Sequence, residues 1–150
     1  MATNVNVESG HVRTSRHPRA HRIHDILTGP VARVLFGLPF IAFGMSHFFM
    51  IESMSAVVPD WAPFSAGFWV VATGVVLLAC GVGVVYGGRP ARVAGPVLAG
   101  LLLTFVVTIH IPTLIAGGDG ANMATVNLMK DLALAGAALL VSFETAHAHV

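Results

Sequence analysis

Gly67-Phe68-Trp69-Val70-Val71-Ala72-Thr73-Gly74-Val75-Val76-Leu77-Leu78-Ala79-Cys80-Gly81-Val82-Gly83-Val84-Val85-Tyr86 contains no charged residue. An α-helix rises about 1.5 Å per residue, so a run of this length matches a hydrocarbon core of roughly 30 Å. Three further runs flank it, at about Val31 to Met50, Ala91 to Ile115 and Ala124 to Phe143. Hydrophobic residues make up 55% of the 150-residue chain and charged residues 10%, with a mean hydropathy of +0.80. A soluble domain carries about 25% charged residues, so this chain lacks the polar surface to remain dissolved. The expected fold is all-α, a four-helix transmembrane bundle.

Three regions follow from the pattern. Residues 1–28 form a basic arm with Arg13, Arg16, Arg19 and Arg22 and with His11, His17, His21 and His24. It is expected to be partly disordered and to lie on anionic lipid headgroups, because four arginines beside the histidines repel a metal cation. It is not expected to act as a secretory signal, since its polar part is long and no small-residue cleavage pattern follows the first apolar run. Residues 29–145 hold the four spans, and residues 146–150 are a short tail. Arg33, Arg89 and Arg92 lie on the same side as the arm, while the loops Ile51 to Ala66 and Gly117 to Gly120 contain no Lys or Arg. The positive-inside rule therefore places both termini in the cytoplasm.

Proline and glycine set the internal punctuation. Pro30 suits a first helical turn, Pro39 falls inside the first span, and His110-Ile111-Pro112 interrupts the third. Pro59-Asp60-Trp61-Ala62-Pro63 denies a continuous helix to the first loop, and Trp61, Phe64 and Trp69 make an interfacial aromatic belt. Ala79, Gly83 and Gly87, and again Ala91, Gly95 and Ala99, recur every four residues and allow close helix approach. The lone cysteine, Cys80, excludes an intramolecular disulfide and reads as a small packing residue.

The polar residues within the spans sort to one end. His47 closes the first span, His110 lies late in the third, and Asn127, Lys130 and Asp131 open the fourth. Glu52, Asp60 and Trp61 belong to the loop at that same end. Ionisable groups within a span are expensive to place in lipid and usually point into the bundle. The expected pairs are Lys130 with Asp131, Glu52 or Asp60, and His47 with His110 or Asn127. They pin the helices to one another, or they bind a polar headgroup such as that of a quinone or lipid. In the second case Phe43, Phe48 and Trp61 would cover the ring. Haem held by His47 and His110 and copper held by His47 with Met50 and Met54 are weaker alternatives, because two histidines are a weak signal and methionine is common core filler. No GxGxxG after a strand, P-loop, Ser/His/Asp set or CxxC occurs, and nothing in the pattern reads nucleic acid.

The order of motifs resembles the DoxX-like family of small bacterial four-span membrane proteins. The resemblance rests on Arg33, on Gly44-Met45-Ser46-His47-Phe48, and on Val58-Pro59-Asp60-Trp61-Ala62-Pro63. It continues in Phe68-Trp69 with Thr73-Gly74, in His110-Ile111-Pro112, and in Asn127 through Ala137. It covers roughly residues 31 to 143 and omits the basic arm. The resemblance implies a multi-pass protein of the bacterial inner membrane, linked to membrane redox functions. Such functions include a quinone-reducing thiosulfate oxidoreductase and an oxidative-stress complex with superoxide dismutase. It therefore implies a redox-associated subunit, at most an accessory part of an oxidoreductase. Its partners would be membrane lipid and either further copies of the chain or a larger complex. The alternative is a non-catalytic scaffold in which the polar cluster is structural.

Overall fold

A computed structural model of the chain describes residues 27–147, with the side chains of residues 29–145. The arginines and histidines of the basic arm, and the last three residues of the tail, lie outside the described residues. Among the described residues the protein is all-helical. A π-turn, Leu27–Val31, leads into α1 (Ala32–Phe49), followed by the short α2 (Ile51–Ser55), α3 (Ala66–Tyr86) and α4 (Gly88–Phe105). A second π-turn, Val106–His110, joins α4 to α5 (Ile111–Ala116), and α6 (Ala121–His147) completes the fold.

Helix ends follow local chemistry. Ser65, in an extended conformation, starts α3, and its hydroxyl accepts from the Phe68 N–H at 3.2 Å. Gly87 ends α3 with φ +84°, a conformation glycine adopts without strain, and its N–H donates to the Gly83 carbonyl at 3.1 Å. The third span begins at Gly88, three residues before the expected Ala91, because Pro90 fits within a first turn that needs no N–H there. The fourth begins at Ala121, three residues before the expected Ala124.

The segment after α1 departs from the expected loop over Ile51 to Ala66. Met50 breaks the helix with φ −123° and ψ 32°, and α2 then adds a turn of helix before the chain passes into a series of turns. Proline resumes control at Pro59 and Pro63. The Trp69 indole N–H donates to the Pro63 carbonyl at 2.5 Å and pins the loop to the start of α3.

The helices associate pairwise. α1 lies along α3 through two glycine pairs, Gly37 with Gly81 and Gly44 with Gly74. A Cβ at Gly81 would sit 2.9 Å from the Ile41 backbone nitrogen and 3.0 Å from the Gly37 oxygen. At Gly44 it would sit 2.7 Å from the Leu78 nitrogen. α4 lies along α6, where Gly95 lets the Ala138 carbonyl and the Ser142 side chain approach. The Ser142 hydroxyl donates to the Arg92 carbonyl at 2.7 Å, and Arg92 Nε donates to the Thr145 carbonyl at 2.9 Å. α3 and α4 join the two pairs, and Phe40, Leu77, Val84, Leu98 and Ala138 fill the centre. Cys80 is a free thiol in this core.

The expected stripe of Ala79, Gly83 and Gly87 is not the close-packing seam of α3. Ala79 is exposed, and Gly83 meets Pro90 and Ala94 at ordinary contact. The seam uses residues seven apart, because two turns of helix return nearly to the same face. Ala91, Gly95 and Ala99 are buried, as their spacing predicts.

Much of the apolar surface faces outward. Leu35, Phe49, Tyr86, Ile115 and Leu140 are among the exposed large side chains. Four helices, Gly29–Phe49, Ala66–Tyr86, Gly88–Ala116 and Ala121–Thr145, are long and apolar enough to cross a membrane. Water would not tolerate that surface, whereas lipid matches it. The architecture fits an integral, multi-pass membrane protein. In lipid the hydrophobic effect no longer drives helices together, so their contacts rest on close packing and internal hydrogen bonds. The glycine seams are therefore central to the fold.

Candidate functional site

The His47 end of the bundle holds an open-sided cavity of about 600 Å³. Its walls are largely apolar, built from Val70, Val76, Leu101 and Phe105 of α3 and α4, and the 57–63 loop covers it with Val58, Pro59 and Trp61. Two histidines from different spans border it, His47 and His110.

His47 reaches the cavity because α1 and α3 nearly touch. Its Cβ would lie only 2.8 Å from a Cβ placed on Gly74, so any larger residue there would push the helices apart. The His47 ring turns back on its own helix, with Nδ1 2.7 Å from the Phe43 carbonyl.

His110 owes its position to the π-turn. Pro112 has no N–H to offer the helix, and the strain is absorbed upstream, where the Ile111 N–H reaches back five residues to the Val106 carbonyl. Such single π-turns recur at functional sites. His110 Nε2 lies 3.0 Å from Asp131 Oδ2, and the His110 side chain is only 13% exposed. Asp131 is itself buried, and its Oδ1 lies 3.6 Å from Lys130 Nζ. The carboxylate thus sits between an imidazole that borders the cavity and an ammonium on the outside of α6.

Lys130 is half exposed. It donates to Asn127 Oδ1 at 3.3 Å, and its Nζ stands 5.7 Å from the centroid of the Phe43 ring. Through that contact α6 meets α1.

The structure therefore brings together His47, His110 and Trp61 around one cavity, with Asp131 directly behind His110 and with Asn127 and Lys130 behind Asp131. Of the expected pairs, Lys130 with Asp131 forms. His47 bonds its own helix and neither His110 nor Asn127. Glu52 and Asp60 are exposed and make no hydrogen bond or ion pair with the described residues. Phe43 and Phe48, expected to cover a bound ring, do not border the cavity: Phe43 lies beneath Lys130, and Phe48 packs towards Gly74. The separation follows from helix geometry, since Phe43 and His47 share a face only approximately and the Phe43 ring swings towards α6. Met50 lies outside the cavity because the helix breaks there, whereas Met54 borders it. Among the described residues no group of three or more His, Cys, Asp or Glu side chains converges on a common point.

Threonines complete the polar lining: Thr73 on α3, Thr104 on α4 and Thr108 in the π-turn. Their signal in sequence was the four-residue spacing of Thr104 and Thr108, which carries them along one helix face towards His110. Thr104 donates to the Gly100 carbonyl at 2.8 Å and Thr108 to the Thr104 carbonyl at 2.7 Å.

Chemically this is an apolar chamber with a few fixed polar atoms, the form usual for small-molecule sites. No curated protein and no solved structure matches the chain. A family match covers residues 36–146, from Phe36 on α1 into the last turn of α6 and so all of the cavity. By that match the chain belongs to the family described as Domain of unknown function (DUF8561).

Proposed function

We propose that this chain is a subunit of a redox-associated assembly in the bacterial cytoplasmic membrane, and that its cavity holds the headgroup of a quinone-like or lipid amphiphile. One observation carries the reading: two histidines on different spans border a single apolar chamber of about 600 Å³ at one end of the bundle. That volume lies within the range of small-molecule pockets, roughly 300–1,000 Å³. The resemblance to the DoxX-like family supports a redox association. The distribution of Arg33, Arg89 and Arg92 supports cytoplasmic termini, which puts the cavity on the outer side. Apolar flanks that remain exposed on all four spans support contact with lipid and with further subunits.

The test is direct binding. Protein in lipid nanodiscs is titrated with a decyl-chain benzoquinone in its oxidised and in its reduced form, and tryptophan quenching is followed, because Trp61 and Trp69 both border the cavity. Saturable quenching in wild type, lost in Val76→Trp where the added ring fills the chamber, supports the reading. One observation favours a scaffold instead: Asp131 already satisfies both His110 and Lys130. Equal quenching in wild type and Val76→Trp, with destabilisation of Asp131→Ala, would select that alternative.

A further inference from the structure

The hydrogen-bond partners of His47 and His110 fix which of their nitrogens can face a ligand. The Phe43 carbonyl can only accept, so the 2.7 Å contact places the hydrogen on His47 Nδ1. The Asp131 carboxylate likewise accepts, so the 3.0 Å contact places the hydrogen on His110 Nε2. Lys130 already supplies a cation beside Asp131. With His110 neutral, Lys130 and the buried Asp131 carboxylate balance each other, whereas a second cation would leave one charge in excess in a membrane span. A neutral imidazole has one N–H and one lone pair. With both imidazoles neutral, the remaining nitrogens, His47 Nε2 and His110 Nδ1, are acceptors, and neither bonds another described residue.

The other polar groups of the wall point the same way. Thr104 and Thr108 have given their hydrogens to backbone carbonyls, and the Trp69 indole has given its own to Pro63. Among the side chains, what remains for donation is the Thr73 hydroxyl, which can play either role, and the Trp61 indole on the exposed loop.

We infer that the cavity selects an amphiphile that presents hydroxyl donors, and so takes a hydroquinone or phenol in preference to the corresponding quinone. This rests on the binding reading above and specifies its ligand. A hydroxyl of the reduced ring donates to His110 Nδ1 or to His47 Nε2. The oxidised ring carries only carbonyl oxygens and meets both lone pairs with lone pairs, leaving polar atoms unpaired in an apolar chamber. Sites built to pair with a hydroxyl reject analogues lacking it far more strongly than apolar pockets reject a change of size. Asp131 is a positioning residue: it holds the His110 tautomer and does not touch the ligand.

The experiment compares three probes by anaerobic calorimetry on the full chain in nanodiscs: a decyl-chain benzohydroquinone, its dimethyl ether and the benzoquinone. The hydroquinone is expected to bind at least about tenfold more tightly than either of the others, the scale of one or two hydrogen bonds. In Asp131→Asn the amide can donate to Nε2, which moves the His110 hydrogen to Nδ1 and turns that nitrogen into a donor. The preference should then shrink or reverse. A quinone that binds wild type as tightly as the hydroquinone overturns the selectivity while leaving the binding reading intact. Failure of all three probes overturns both. Nitrogen-15 spectra of histidine-labelled wild type read the tautomers without any ligand or variant, with His47 Nε2 and His110 Nδ1 expected as unprotonated nitrogens. Protonation at either of these atoms overturns the inference.

Discussion

Gly44 and Gly74 face each other across α1 and α3 so closely that a Cβ on Gly74 would lie 3.0 Å from the Gly44 carbonyl oxygen and 2.8 Å from the His47 Cβ. The same contact that packs the helices therefore positions a cavity histidine. Gly74→Ala is expected to destabilise the protein by about 1–3 kcal/mol, the range for overpacking a filled interface. A methyl group added at Gly100 or Gly136 would meet nothing within 4 Å, so Gly100→Ala and Gly136→Ala should be neutral or mildly stabilising. Thermal unfolding in a fixed detergent ranks the three. A Gly74→Ala variant as stable as Gly100→Ala would show that the seam does not hold the two helices.

The His110–Asp131 bond should appear as an energetic coupling. Removing either partner leaves the other buried without its mate, so His110→Ala and Asp131→Ala are each expected to destabilise by about 1–3 kcal/mol. The double variant should lose less than the sum, with an interaction energy of about 0.5–3 kcal/mol as is usual for residues in contact. Strict additivity would show that the two groups do not meet in the folded protein. Lys130→Met should have the smaller effect, since Lys130 is half exposed and its approach to Asp131 is looser.

Trp69 ties the 57–63 loop down by one hydrogen bond to Pro63. Trp69→Phe keeps a ring but loses the donor, and should lower stability by about 0.5–1.5 kcal/mol. Hydrogen exchange should accelerate across residues 57–65 and remain unchanged in the core of α3. Acceleration spread evenly over the chain would mean that the loop is not held separately.

The proposed cytoplasmic placement of the termini predicts a simple labelling pattern. Ala56→Cys and Gly120→Cys introduce thiols at exposed positions at the cavity end. Cys80 is buried and contributes little background. An impermeant maleimide applied to intact spheroplasts should label both positions, and labelling only in inverted vesicles would reverse the orientation.

The spans were legible in the sequence because lipid imposes a length and an apolarity that composition reports directly. The direction of side chains was less so. A four-residue rule points to Ala79 and Gly83, whereas the seam uses Gly37 and Gly44 against Gly74 and Gly81. Matching seven-residue spacings on successive spans were the available signal. His47, His110 and Trp61 were recognisable as one group because topology sets their depth. Glu52 and Asp60 share that depth yet face outward, since depth alone does not fix rotation about a helix or the path of a loop. Pro112 announced an interruption, but the form it took depends on which carbonyl the Ile111 N–H finds, and here that is Val106.

That choice makes the third span one residue longer than a plain α-helix over the same rise. Deleting Val107, an outward-facing residue of the π-turn, offers the span a route back to ordinary helical winding. The pieces on either side would then turn against each other by about 100°, one residue's share of a helical turn. Either His110 loses its bearing on Asp131, or Leu101 and Phe105 lose their place in the wall of the chamber. The chamber is thus tied to a count of residues as well as to their identities, and a single deletion is expected to erase it while sparing the bundle.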